Sequence, residues 1–295
     1  MGRNIVFCIF FFVCAFPLTV FAQEEQPDSK SLVLQEMSWV DVQEYLVSND
    51  MVIIPVGSTE QHGPHLPLGT DYFSALEMSK QISEQTGVIT APILLVGYSE
   101  YHSGFPGTLN VTPETMERVL FESVEMLIKY GFHRFMIFNG HGGNNIVQDN
   151  LIHRINHSTE ASAIAIGYGS SLQRVPGRDP FDAHAGKRET SNMLYLMPQY
   201  VRMDKAVRPE IHLTPEMQSL LKLSETNPEL LPVLFNMFGI PAETNKGGAS
   251  HELSDTGVGF FTDPGEATAE MGHENVSEIV NKAVRFIEAW KEVER

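Results

Sequence analysis

Four apolar runs along the chain are too continuous for an amphipathic helix and read as strands buried on both faces: MVIIPVG (51–57), VITAPILLVG (88–97), FHRFMIFNG (132–140) and ASAIAIGYG (161–169). Stretches with helical spacing lie around and between them. SWVDVQEYLVSND (38–50) predicts a short helix, with Ser38 as its cap and Asp41 three residues on. DYFSALEMSKQISEQTG opens at Asp71, repeats Phe73, Leu76 and Ile82 at helical spacing, and closes at Gly87. TPETMERVLFESVEMLIKYG (112–131) has a Thr cap, Pro at its first position and Gly at its end. NNIVQDNLIHRINHS is the next helix. Strands that alternate with amphipathic helices predict an α/β fold, with a parallel or mixed sheet covered by helices on both faces.

The second half of the chain is less regular. ETSNMLYLMPQYV begins a helix, and VSEIVNKAVRFIEAWKEVER is a C-terminal amphipathic helix. Residues 204–250 are rich in Pro, Met and Leu without a clear period, and read as an insertion or lid-like segment. There is no internal repeat. At the other end, MGRNIVFCIFFFVCAFPLTVFA (1–22) has a basic start, an apolar run and a small-residue cleavage site, the pattern of a secretory signal. Residues 23–36 are polar and read as a flexible lead-in to a single domain over 37–295. The expected location is exported, periplasmic or secreted, with no membrane attachment after cleavage.

Composition narrows the chemistry. Cys8 and Cys14 both lie in the leader, so the remaining chain has neither disulfide nor thiolate ligand, and any metal must be held by His and carboxylates. The leader carries only Arg3 among charged residues, which leaves 19 basic and 37 acidic residues and a net charge of −18. That balance excludes nucleic acid and anionic membranes as partners.

Three polar clusters follow strands directly, where open α/β sheets bind ligands. Glu60, His62 and Asp71 follow 51–57; His141, in NGHGGNN, follows 132–140; His184 and Glu189, in DAHAGKRETS, follow 161–169. Singly, each has a bland reading: Asp71 as a helix cap, His141 as incidental to a Gly turn, Glu189 as a first-turn acid favoured by the helix dipole. Three acids and three imidazoles at successive strand ends together point to a divalent metal site. His65, His102 and His251 are weaker candidates, with His102 taken as a surface residue. Motifs for a serine nucleophile elbow, a zincin helix and nucleotide-binding loops are absent.

The blocks PVGSTEQHGPHLPLGTD, HSGFPGTLNVTPET, FNGHGGNN, HAGKRETS and GVGFFTDPGEATAEMG, in that order over roughly residues 50 to 270, resemble the creatininase (creatinine amidohydrolase-like) family of metallohydrolases. The resemblance implies an α/β/α sandwich, a binuclear metal site and a homo-oligomer. It places Glu60 and His141 on one metal, His62 on the other and Asp71 between them, and matches His184 to the catalytic histidine. One departure matters: the family's creatininases carry a Glu ligand two residues after the histidine of this NGH motif, where this chain has Gly143. Glu189 is the candidate to replace it, with Asp182 weaker. The aromatic residues that pack on creatinine correspond to Gly142 and Pro180.

The expected activity is therefore metal-dependent hydrolysis of a non-standard or cyclic C–N bond in a small-molecule amide, with hydroxide supplied at the metal. His184 and Glu189 are the expected catalytic residues. Glu60, His62, Asp71, His141 and Glu189 are the expected ligands of two divalent ions per chain: zinc, with manganese and iron also suited to an N/O shell. The alternatives are a peptidase or formamide deformylase of the same family, or a family member that binds metal or ligand without turnover.

Overall fold

The computed structural model describes residue 2 and residues 31–167, 182, 184–227, 230, 250–259 and 262–294. The chain divides into Met1–Lys30 and Ser31–Arg295, and the sheet and its helices belong to the second unit. The leader apart from Gly2, residues 228–229 and 231–249 of the segment 204–250, Pro180 and the end of the 161–169 run lie outside the described residues.

Four parallel strands form the sheet among these residues, in the order β2-β1-β3-β4: β1 Met51–Val56, β2 Ile89–Thr90, β3 Arg134–Asn139 and β4 Ser162–Ala165. The helices are α1 Trp39–Tyr45, α2 Thr70–Thr86, α3 Pro113–Tyr130, α4 Asn145–Ser158, α5 Lys187–Leu196, α6 Pro215–Thr226, the single turn α7 Ser250–Leu253, and α8 Ala269–Lys291. No helix among the described residues is long and apolar enough to cross a membrane.

Side-chain alternation along the strands divides the core in two. Val52, Ile54 and Val56 of β1, with Phe135 and Ile137 of β3, pack under α3 and α4. Met51 and Ile53, with Met136 and Phe138, pack under α2 and α8. The result is an α/β/α sandwich with both sheet faces covered, which is why β1 reads as an unbroken apolar run. Ser38 and Asp41 form the expected capping box of α1, and Thr112 caps α3, which ends at Gly131.

Two expectations are corrected. The strand expected over 88–97 is only Ile89–Thr90, with one further bridge from Leu94 to Val56. Pro92 has no N–H to continue a ladder. The lead-in is folded from Ser31 onward: the Thr90 amide donates to the Leu32 carbonyl at 2.8 Å, and Leu32 and Leu34 pack on the α3/α4 core. Their apolar side chains, spaced two apart, carried that signal.

The sheet seats α2 tightly. A Cβ on Gly140, just past β3, would sit 2.4 Å from the Asp71 carbonyl oxygen, and one on Gly57, just past β1, would sit 2.5 Å from Tyr72 Cα. Only glycine lets both strand ends abut the first turn of α2. Gly140→Ala is expected to cost about 1–3 kcal/mol in urea unfolding by forcing that contact apart, and also to lower metal content. Ile82→Val, in the same core layer, is expected to cost about 0.5–1.5 kcal/mol and leave metal content unchanged.

Candidate metal centre

Three chain segments converge at the carboxyl ends of β1 and β3. The loop after β1 is pinned by the Glu60 amide, which donates to the Leu68 carbonyl at 2.8 Å, and this turns Glu60 and His62 inward. Asp71 does not cap α2: the helix begins at Thr70 behind Gly69, and the Asp71 carboxylate leaves the helix for the site. His141 follows β3, with its amide donating to Asn139 Oδ1 at 3.0 Å. Glu189 lies in the first turn of α5 and accepts the Ala185 amide at 2.7 Å. Ala185 is buried with φ of 54°, an uncommon conformation for a residue with a Cβ. It turns the chain sharply between His184 and α5, so that both His184 and Glu189 face the same point.

The two oxygens of Asp71 serve different neighbours. Oδ1 lies 3.0 Å from His62 Nε2, while Oδ2 lies 2.8 Å from His141 Nδ1 and accepts from Ser58 Oγ at 2.9 Å. The far nitrogens of both imidazoles are occupied by carbonyls, which only accept: His62 Nδ1 donates to Glu60 O at 3.1 Å, and His141 Nε2 to Tyr98 O at 3.0 Å. His62 Nε2 and His141 Nδ1 are therefore the lone-pair atoms, oriented as metal-ligating imidazoles are. Glu189 Oε2 is 3.7 Å from His62 Nε2, and Glu60 Oε2 is 3.2 Å from His141 Nε2, on the side of the ring opposite Asp71. Two triads with mutually close donor atoms result, Glu60–Asp71–His141 and His62–Asp71–Glu189, sharing Asp71. A third grouping, Glu60–His62–His184, overlaps both.

Electrostatics call for a cation here. Glu60 is fully buried, and the groups nearest its oxygens are two imidazoles, His102 Nε2 and His141 Nε2, each at 3.2 Å; a buried anion with so few partners calls for positive charge. Burial alone would raise the Glu60 carboxyl, yet His141 and His102 pull it down to about 2. Burial would likewise lower His62 and His141, but Asp71 and its hydrogen bond raise His62 to about 10, and Glu60 with Asp71 raises His141 to about 9. Apart from Arg188, whose Nη2 lies 4.0 Å from Glu189 Oε1, the imidazoles are what neutralise the carboxylates, by holding protons. A divalent cation would supply that charge instead, and the N/O donor set of the triads fits hard-to-borderline cations.

Gly143 cannot carry the ligand found at that position in creatininases. A Cβ there would lie 2.4 Å from the Tyr98 carbonyl, 2.5 Å from His141 Nε2 and 2.6 Å from Tyr101 Oη. Glu189 brings the carboxylate in from α5 instead; Asp182 holds the Arg188 amide and the Thr262 hydroxyl. Of the weaker candidates, His65 is buried and holds Thr190 Oγ1 at 2.8 Å, which braces α5. His251 is exposed beside Gly104. His102 is corrected: it is buried, its Nε2 lies 3.2 Å from Glu60 Oε1, and its ring stacks on His184 with centroids 4.2 Å apart. Its position beside Tyr101, in a polar YHSG turn, concealed this. Gln61 was also missed; it contacts both His102 and His184. Its only signal was its place between Glu60 and His62.

A family model described as creatinine amidohydrolase matches residues 35–287. The chain is 32% identical over 260 residues to a mycofactocin precursor peptide peptidase from Mycolicibacterium smegmatis, covering 82% of this chain and 85% of the relative. It is 33% identical over 187 residues to a 3-dehydro-scyllo-inosose hydrolase from Thermotoga maritima, covering 60% of each. Its structure is similar to that of a creatininase variant of the Zn-Zn type, with a TM-score of 0.69 at 20% identity, covering 90% of this chain and 100% of that one.

The geometry has two measurable consequences. Glu189→Gln is expected to reduce bound metal from two ions to one per chain by elemental analysis while the fold is kept, and Gly143→Glu on that background is expected not to restore it. Protons and metal compete for His62 and His141, whose folded values of about 10 and about 9 exceed the ordinary 6.5. The metal-free protein therefore has this stabilisation in full below pH 6.5 and loses it as pH rises through 9 to 10. Metal affinity runs the opposite way, rising with pH over the same window, and calorimetry in buffers of different ionisation enthalpy should show proton release on binding.

Proposed function

We propose a reaction for a chain that belongs to the creatininase family and is a metal-dependent hydrolase of C–N bonds. Its substrate is a small or modified molecule carrying an amide outside ordinary peptide linkage, in a ring, at a formyl group or at a non-standard peptide end. The observation that carries this reading is the Asp71 carboxylate, whose two oxygens face the ligand nitrogens of two separate imidazoles.

Glu60, Asp71 and His141 would hold one divalent ion and His62, Asp71 and Glu189 another, and such ions would supply Lewis acidity and ease the deprotonation of water. The remaining steps fall to side chains of this chain. Glu189, partly exposed, accepts a proton from the attacking water as its oxygen bonds to the carbonyl carbon. His184 lies against His62, ring centroids 4.3 Å apart, with Nδ1 directed toward Glu60 Oε1 at 3.6 Å. Burial, with His102 and His62 adjacent, holds His184 well below its ordinary value, so it is neutral in the resting site. A neutral imidazole N–H can polarise the carbonyl oxygen and support protonation of the leaving nitrogen as the C–N bond breaks. The products are a carboxylate and an amine.

Zinc is the favoured ion, since the N/O donor set suits it and the similar creatininase structure is of the Zn-Zn type; manganese and iron suit the same donors. Creatinine itself is disfavoured, because Gly142 and Gly143 offer no side chain to pack on it. A peptide-derived substrate is the second reading, favoured by the 32% identity to a precursor peptide peptidase over most of both chains. The leader pattern of residues 1–22 supports export, and the family resemblance supports a homo-oligomer.

A panel of cyclic amides, formamides and modified peptide ends tests this. Turnover is expected to vanish with chelator and return with zinc or manganese, and His184→Ala is expected to lower kcat by about 10²–10⁴-fold without loss of metal. Creatinine is expected to be a poor substrate. Turnover that persists without metal would overturn the reading.

A further inference from the structure

Gln61 sits between two metal-ligating candidates yet points away from both. Its side chain is buried, with the Nε2 amino group 2.9 Å from His184 Nε2, 3.0 Å from His102 Nδ1 and 3.1 Å from the Gly257 carbonyl. Backbone groups fix which end of the amide is which. Oε1 accepts the Gly63 amide at 3.0 Å, and Nε2 faces the Gly257 carbonyl. A flipped amide would set donor against donor at Gly63 and acceptor against acceptor at Gly257. Gly257 has φ of 71°, and a Cβ there would lie 1.9 Å from Gln61 Oε1, so the loop closes on the amide without room for a side chain.

The chemistry of an amide NH₂ then determines both rings. It carries two hydrogens and no acceptor lone pair, so it donates to two of these three neighbours at a time; a ring N–H at 2.9 or 3.0 Å would oppose donor to donor, so the ring nitrogen facing it must be the unprotonated one. Each ring therefore carries its hydrogen on the opposite nitrogen. Those opposite nitrogens, His184 Nδ1 and His102 Nε2, both face Glu60 Oε1, at 3.6 and 3.2 Å. The rings stack on each other with planes 21° apart, so the two are held as one unit.

We propose that Gln61 is a positioning residue that locks His184 as the Nδ1–H tautomer and His102 as the Nε2–H tautomer, so that the one N–H His184 can offer a substrate lies on the Glu60 side of its ring, 3.6 Å from Oε1 and outside hydrogen-bond distance of it, and His184 meets the substrate as a donor and not as a base. Its consequence for catalysis rests on the reading of His184 as the group that polarises the carbonyl; the tautomer assignment does not. The two partners of Glu60 Oε1 also keep that oxygen turned from the triad, leaving Oε2 toward His141 and Asp71.

The test is long-range proton–nitrogen NMR of zinc-loaded protein with labelled histidine, comparing wild type with Gln61→Met, Gln61→Glu and Gly257→Ala. Wild type is expected to show unprotonated His184 Nε2 and His102 Nδ1. In Gln61→Met, which keeps the volume but has no donor, both rings are expected to lose the single-tautomer signature. In Gln61→Glu, where a carboxylate accepts, a proton is expected to move to the facing nitrogen of at least one ring. Gly257→Ala, which leaves Gln61 itself intact, is expected to shift the same signals by displacing the amide. Zinc content is expected to stay at the wild-type level in all three. A wild-type spectrum with the proton on His184 Nε2, or unchanged tautomers in both Gln61 variants, would overturn the proposal. Loss of turnover in His184→Ala bears only on the catalytic reading, so the two can fail separately.

Discussion

Asp71 is a carboxylate taken out of water in the first turn of a helix, with an imidazole nitrogen at each oxygen. Glu60, also fully buried, lies across the His141 ring from it. Withdrawing such anions from solvent costs several kcal/mol each unless opposite charge is close, and the rest of the rim is arranged around meeting that cost. Protons on His62 and His141 do so in the metal-free protein. Divalent cations would meet it at the same donor atoms, which would make ion binding and local stability a single equilibrium.

The sandwich exists in a form that places this demand at one edge. The four strands among the described residues are parallel, so their carboxyl ends share a rim, and the loops leaving β1 and β3 arrive there together. Glycines 57 and 140 let the first turn of α2 press against both strand ends, which carries Asp71 to the midpoint between the two imidazoles. The second carboxylate for the His62 side comes from α5, held by the strained turn at Ala185 and braced from below by His65 and Thr190. At Gly143 the same rim is closed by Tyr98, His141 and Tyr101, so the carboxylate that the family resemblance leads one to expect there has no space in this chain.

Much of this was legible in sequence because it depends on local pattern. β1 is an unbroken apolar run and β3 has one over Phe135–Phe138, α3 announces its start and stop with Thr112, Pro113 and Gly131, and the polar residues that follow each strand stand out against the core. What was not legible depends on distant packing. Pro92 shortens β2 in a run whose apolar content looked continuous. His102 is made a site residue by Glu60 and His184, neither near it in the chain. Gln61 owes its orientation to Gly63 and to Gly257, 196 residues on. The Asp71 cap reading failed for a related reason: local rules offered it a role at the helix start, and two imidazoles brought by tertiary structure took the carboxylate instead.

Anomalous diffraction from crystals of the zinc-loaded protein tests the bridging role of Asp71 most directly. The account predicts two zinc ions on either side of the Asp71 carboxylate, one bound by Glu60 and His141 and the other by His62 and Glu189, with one Asp71 oxygen on each. A single ion, or two ions with both Asp71 oxygens on the same one, would contradict it.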